Sequence, residues 1–284
     1  MPILVEQPII DCSEDEFYAI DQKVRGIAFD IHNQFGRFFD EQIYQTELAA
    51  RCTQAGLHAA AEVKISVTHG TFEKEYFLDL LINNKVIVEL KTSAQITAAH
   101  RAQTLNYLLL CNLQHGSLLN FRPSRVKHKF VSCRQTSECR KNAVIRADHG
   151  CSRIPQTELL ATWLRELISD WGAGLDAQLY RDAISHLLGG NDAIFRPIPV
   201  LSAGKIIGTQ KMHMLTDTCS FALTSVSKDV QNMEKHFYKV LHSSNLEGMV
   251  WINLHRQHIS IRFLGNPLQA HADTHFKAPE HTFS

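Results

Sequence analysis

The sequence predicts an α/β protein built on a mixed sheet. Apolar residues recur at helical spacing near the start, short apolar runs of strand length follow, and a further helix then separates those runs from two more strands. Over residues 21–34, Val24, Ile27, Ile31 and Phe35 repeat at three- and four-residue intervals, and a second apolar helix is predicted over 41–52, with Gly36 between the two. Past Gly56 the period changes to two: Val63, Ile65 and Val67 alternate with polar residues. Residues 77–82 and 86–90 are apolar runs flanking Asn83, Asn84 and Lys85, a hairpin signal that completes a three-stranded meander. Thr97 is placed to cap a helix running to Asn112, and residues 117–121 and 126–131 read as two further strands.

The composition is that of an ordinary globular chain: 284 residues, 44% apolar, with 29 Lys+Arg balanced by 29 Asp+Glu. It excludes disorder, collagen and coiled coil, and the length suits two domains. The neutral total hides a basic run. From Arg122 to Arg153 nine cations face two acids, a local +7 that leaves −7 elsewhere. No stretch is long and apolar enough to cross a membrane, the start of the chain is acidic where a secretory signal is basic, and the seven cysteines are an odd, scattered set, so a cytoplasmic protein with free thiols is expected. The expected organisation is a first domain over 1–131, a basic linker over 132–154, a second domain over 155–265 and a flexible tail over 266–284.

The second half repeats the first. Gly36, Asp40, Gln42 and Tyr44 fall on Gly172, Asp176, Gln178 and Tyr180 at an offset of 136, and the preceding Ile27, Ile31 and Phe35 fall on Trp163, Leu167 and Trp171. Further on, residues 107–121 parallel 238–254, with Gly116 on Gly248 and Asn120 on Asn253. The spacing changes as altered loop lengths would change it.

Charged residues with chemical potential sit in the first copy. Asp79 interrupts the apolar run 77–82, and Glu89 and Lys91, two residues apart, share one face of the next strand. A two-residue hairpin loop pairs residues summing to 167 and sends Asp79 and Glu89 to opposite faces. A three-residue loop gives 168 and sets them side by side, and that register is the one we expect. Two adjacent carboxylates repel unless a cation lies between them, and hard oxygen ligands suit Mg²⁺ or Mn²⁺. Lys91 would stabilise charge developing on a scissile phosphate. On the following helix His100, Gln103 and Tyr107 form a polar stripe opposite Ala102, Leu105 and Leu109, suggesting a site wall.

Asp79, Glu89-x-Lys91, Gln103 and Tyr107 together resemble the PD-(D/E)XK nuclease superfamily. Glu41 with Tyr44 resembles its bacterial GxxExxY branch, and the likeness extends over about residues 20–131. Two positions depart from the pattern: Phe38 stands where the branch has Gly, and Leu78 where the superfamily name has Pro. The resemblance implies a restriction-endonuclease-like mixed sheet flanked by helices, duplicated here as an active and a degenerate copy. It implies Asp79 and Glu89 as metal ligands with Glu41 as a third acidic contributor, Lys91 as the catalytic lysine, and Gln103 and Tyr107 as supporting residues.

The activity expected is Mg²⁺- or Mn²⁺-dependent hydrolysis of phosphodiester bonds in nucleic acid, DNA ahead of RNA. Arg101, Arg122, Arg125, Lys127 and Lys129 are the candidate nucleic-acid contacts. The second domain has lost the chemistry: Glu41 corresponds to Ala177, Gln103 to about Glu234, and the strand holding Ala222, Leu223 and Thr224 has no acid-x-Lys. It is expected to shape substrate choice, dock a protein partner or form a homodimer. Two other readings remain: a silent nuclease-fold scaffold, and a nuclease that waits for a partner or ligand.

Other motifs carry less. Cys133, Cys139, His149 and Cys151 offer four zinc ligands without the short knuckles of structural zinc sites. His271, His275 and His281 lie in a polar tail, Gly204-Lys205 lacks the rest of a phosphate loop, and no G-x-S-x-G elbow is present.

Overall fold

Helix α1, Glu14–Phe35, starts where the Ser13 hydroxyl accepts the Glu16 N–H and carries Glu14, Asp15 and Glu16 in its first turn, a charge placement that suits the positive end of a helix. Its buried stripe is Phe17, Ile20, Val24, Ala28 and Ile31, with Ile27 and Phe35 only half-buried at its edge. The computed structural model describes residues 2–148 and 155–266, which form two compact units: Met1–Asn142 with Ile168–Asp176, and Ala143–Leu167 with Ala177–Ser284.

In the first unit, β1 (Ile3–Val5), α1, α2 (Glu41–Gln54), β2 (Ala59–His69), β3 (Phe72–Ile82), β4 (Val86–Lys91), α3 (Ala98–Cys111), β5 (His115–Asn120), β6 (Lys127–Ser132) and α4 (Ser137–Lys141) follow one another. The six strands form one sheet in sequence order. Every pairing is antiparallel except β4 with β5, which α3 connects. One face of the sheet packs on α1 and α2 through Leu80, Ile82, Val86, Val88, Leu90 and Leu119. Each such side chain contributes about 1.5–3 kcal/mol by leaving water.

The β3–β4 ladder joins Leu80 to Val88, Leu81 to Ile87 and Ile82 to Val86, which is the register summing to 168. The three-residue loop that sets it places Asn83 and Asn84 at φ of 52° and 59°, a left-handed conformation that asparagine tolerates better than most residues. Helix α3 is capped by Thr97, as expected, and ends at Asn112, which is also left-handed.

The basic run is not the open linker that its charge suggests. Residues 137–141 form α4, whose Arg140 is 2% exposed and donates to the carbonyls of Leu109, Trp171 and Ala173 within the first unit. Gly172, at φ 78°, completes this arrangement, because a Cβ there would lie 2.8 Å from the Arg140 Cβ. The guanidinium thus satisfies three carbonyls that sequence periodicity does not connect to it.

The second unit contains β7 (Val144–Ala147), most of α5 (Pro155–Trp171), α6 (Ala177–Leu187), α7 (Asn191–Ile194), β8 (Phe195–Ser202), β9 (Lys205–His213), β10 (Cys219–Thr224), α8 (Val230–His242), β11 (Gly248–His255) and β12 (His258–Gly265). Strands β8 and β9 form a separate hairpin. The others run β10-β11-β12-β7, with β10–β11 and β12–β7 parallel and β11–β12 antiparallel. Met214, Leu241, Leu246, Met249, Trp251 and Leu264 make its core against α8. Strand β7 lies inside the stretch expected to be linker and gains its order from a partner more than a hundred residues away. No described helix is long and apolar enough to cross a membrane.

A solvated linker position tolerates substitution within about ±0.5 kcal/mol, whereas removing a buried charge that holds three carbonyls costs several. Arg140→Met is therefore expected to lower stability by about 2–4 kcal/mol in chemical denaturation. A variant within about 0.5 kcal/mol of wild type would return the segment to linker status.

Candidate active site

Strand β3 separates from both of its neighbours at Asp79. The β2–β3 ladder pairs Ala61 with Leu80 and Val63 with Leu78 but skips Glu62 and Asp79, and the β3–β4 ladder begins only at Leu80. Glu62 has φ 52°, so β2 is kinked opposite Asp79. The Asp79 side chain substitutes for a ladder acceptor on the other side, with Oδ2 taking the Leu90 N–H at 2.7 Å.

This bond brings Asp79 to the Glu89 and Lys91 face of β4. Glu89 is fully buried, and its Oε1 accepts from Lys91 Nζ at 2.8 Å. Lys91 Nζ also lies 3.4 Å from Glu41 Oε1 and 3.9 Å from Asp79 Oδ2, so one ammonium sits among three carboxylates.

The turn between α1 and α2 delivers Glu41. Tyr44, fully buried and stacked on Phe121 with ring centroids 4.5 Å apart, donates its hydroxyl to the Gly36 carbonyl and accepts the Phe39 N–H. Those bonds close the turn and leave Glu41 as the first residue of α2, where its Oε2 accepts the Thr92 N–H at 3.0 Å. Phe38 is 75% exposed and does not disturb this turn.

The electrostatics follow from burial. Loss of water pushes the Glu89 carboxyl up to about 7, the Asp79 charge adds to that, and Lys91 opposes it in part. Burial also raises Asp79, against the Leu90 N–H and Lys91. Burial alone would lower Lys91, but the charges of Glu89, Asp79 and Glu41 outweigh it and hold the ammonium protonated.

The remaining expected residues divide into two groups. Gln103 and Tyr107 lie on α3 and bond to each other at 3.1 Å, and burial raises the Tyr107 phenol, with the charges of Glu89 and Asp79 adding to it. His100 is not part of the site wall. Its Nδ1 accepts the Thr97 N–H in the helix cap. The face of α3 turned inward is Thr104, Tyr107, Leu108 and Cys111 rather than one containing Ala102, which is exposed.

Among the basic candidates, Arg101, Arg125, Lys127 and Lys129 are exposed, while Arg122 is half-buried with Nε donating to the Thr92 carbonyl beside Lys91. Across the sheet Glu89, Leu118 and Lys129 are in register, as are Lys91, Asn120 and Lys127. Lys127 and Lys129 therefore share the carboxylate face, two strands or about 10 Å away.

Sequence reasoning missed three contributors. Asn120, fully buried, clasps Ser93 through both its N–H and its carbonyl and fixes the chain just past Lys91. Gln45 and Glu62 flank Asp79 on the α2 and β2 side. Gln45 carried a readable signal, since it lies one helical turn after Glu41.

A divalent ion fits part of this arrangement. Glu89 Oε2 is buried without a hydrogen-bond partner among the described residues, and the donors are hard oxygens. No three His, Cys, Asp or Glu side chains among the described residues are already gathered at ligating spacing. Glu41 Oε2 accepts the Thr92 N–H, and its Oε1 lies 3.4 Å from Lys91 Nζ, the same ammonium that Glu89 and Asp79 approach. Of the zinc candidates, Cys133 is buried with its Sγ accepting the Gln135 N–H and Cys139 is exposed, while His149 and Cys151, like the tail histidines, lie outside the described residues.

Residues 18–132 match a family model described as the PD-(D/E)XK nuclease superfamily. The match spans five strands of that sheet, β2 to β6, with most of α1 and all of α2 and α3. Comparison with curated proteins and with solved structures finds no match for the chain.

Glu89 holds a proton in the folded protein up to about pH 7 but in the unfolded chain only to about 4.5. Its contribution is present at low pH and is lost as pH rises between those values. In EDTA the wild-type melting temperature should carry this fall, and Glu89→Gln should flatten it. Parallel curves for the two proteins would assign the titration elsewhere.

Proposed function

We propose that the chain is a nuclease dependent on Mg²⁺ or Mn²⁺, with Asp79 and Glu89 holding the ion. The observation that carries this reading is the buried, unpartnered Glu89 Oε2 beside Asp79, with a protonated Lys91 on the same face. When bound, the ion supplies Lewis acidity toward a scissile phosphate and makes an attacking water more acidic. Lys91 places a positive charge where negative charge develops on phosphorus oxygens, and Glu41, fixed by the Thr92 N–H, orients that ammonium. Gln103 and Tyr107 bound the site from α3. Lys127 and Lys129, in register with Lys91 and Glu89, offer a phosphate track leading from the carboxylates, with Arg101 and Arg125 as exposed additions. DNA is the substrate proposed first.

The second unit fits a degenerate copy of the first, in the GxxExxY branch that Glu41 and Tyr44 resemble. Its helix pair, hairpin, strand, helix and final antiparallel pair follow the same order. Asn253 clasps Val226 as Asn120 clasps Ser93, and Thr224 pairs with Asn253 as Lys91 pairs with Asn120. Aligned on those asparagines, Thr224 replaces Lys91, Ala222 replaces Glu89, and Trp251 fills the position of Leu118. Gly116 then faces Met249 rather than Gly248. An apolar core where the first unit has carboxylates supports a role in substrate choice or partner docking without chemistry.

The test is cleavage of labelled single- and double-stranded DNA and RNA in Mg²⁺, Mn²⁺ or EDTA. Cutting should require the ion and fall at least about a hundredfold in Asp79→Ala, Glu89→Ala and Lys91→Ala. Metal-independent cutting, or equal rates in wild type and Glu89→Ala, would contradict the assignment. If Lys127 and Lys129 track the backbone, Lys127→Gln with Lys129→Gln should weaken binding uniformly across sequences and reduce the salt dependence by about two phosphate contacts. An unchanged salt slope would remove them from the track.

A further inference from the structure

We propose that Gln45 is a positioning residue for Asp79, holding the strand at the one point where the sheet itself does not. In an antiparallel sheet the N–H and C=O of one residue turn to the same neighbouring strand, and each residue is aligned by a cross-strand partner on both sides. Asp79 lacks a ladder partner on either side, because Glu62 is kinked at φ 52° on β2 and the pairing with β4 starts one residue later.

Two side-chain bonds take the place of the ladder. On the β4 side the Asp79 carboxylate accepts the Leu90 N–H at 2.7 Å, and on the β2 side the Asp79 carbonyl accepts Gln45 Nε2 at 2.8 Å. Gln45 is 3% exposed, and its Nε2 also donates to Glu62 Oε1 at 2.7 Å. The kinked glutamate therefore orients the amide, and the amide holds Asp79. Both protons of one NH₂ group are used, a demand that a carboxylate or an apolar side chain at position 45 cannot meet.

The kink has a consequence for the site. A non-glycine residue in the left-handed region within a strand costs on the order of 1–3 kcal/mol and persists only where its surroundings over-determine it. Here it releases the Asp79 carbonyl from β2, which allows the carboxylate to turn toward Glu89 and Lys91. Gln45 follows Glu41 by one helical turn, so α2 sets Lys91 through its first residue and Asp79 through its fifth.

The relevance to metal binding rests on the nuclease reading, but the positioning does not, and the test separates the two. Hydrogen exchange of the Leu90 amide in the full-length, metal-free protein reports whether the Asp79 carboxylate keeps its place. Mn²⁺ titration by calorimetry reports its effect on the ion. In Gln45→Leu, Leu90 exchange should speed at least about tenfold while the Ile87 amide is unchanged, and the Mn²⁺ dissociation constant should rise roughly tenfold or more, the effect usual for residues that orient a metal-ligating side chain.

Gln45→Glu, similar in size, should do the same, which covers failure of the leucine variant to fold. Glu62→Gln keeps an acceptor for Gln45 and should leave Leu90 exchange at the wild-type rate. The exchanged pair, Gln45→Glu with Glu62→Gln, restores the bond between the two side chains but not the donor to Asp79, and should remain impaired. Unchanged Leu90 exchange in Gln45→Leu and Gln45→Glu, or full recovery in the exchanged pair, would overturn the proposal. A wild type that takes up no Mn²⁺ while Gln45→Leu still exposes Leu90 would remove the metal site and uphold the positioning role.

Discussion

One ammonium among three carboxylates is the constraint to which much of the first unit answers. Lys91 lies 2.8 Å from Glu89, 3.4 Å from Glu41 and 3.9 Å from Asp79, on a face from which most water is excluded. Burying that much charge is costly unless every member has a partner, and the partners come from three separate stretches of chain. Thr92 holds Glu41, Leu90 holds Asp79, Asn120 fixes the loop beyond Lys91, and Tyr44 fixes the turn before Glu41. Among the described residues, Glu89 Oε2 remains buried without a hydrogen-bond partner.

The same constraint explains the irregularities of the sheet. A uniform six-stranded sheet would give Asp79 a cross-strand partner on both β2 and β4. Instead β2 kinks at Glu62, β4 pairs with β3 only from Val88 downward, and the polar groups freed by those breaks are taken up by Gln45 and by the Asp79 carboxylate itself. In the second unit β10 carries Ala222 and Thr224, and Trp251 packs into the core.

Much of the arrangement is legible in the sequence because it is local. Asn83, Asn84 and Lys85 set a three-residue loop, the loop sets the register, and the register sets Asp79 beside Glu89. Thr97 marks the start of α3 to the residue. What is not legible depends on partners remote along the chain. Arg140 looks like one more cation in a basic run until three carbonyls surround it, and β7 looks like linker until β12 pairs with it. Glu62 gives no local sign of its kink, since nothing in its neighbourhood demands a positive φ. The pattern singles out Glu41 but not the Thr92 N–H that its Oε2 accepts, 51 residues further along the chain.

The most direct test of the account is anomalous scattering from a crystal of the protein soaked in Mn²⁺. The account predicts a single strong peak bonded to Asp79 and to Glu89 through the oxygen that has no partner in the metal-free structure, with Glu41 still held by Thr92. A peak elsewhere, or no peak with Lys91 still seated on Glu89 at saturating Mn²⁺, would contradict it.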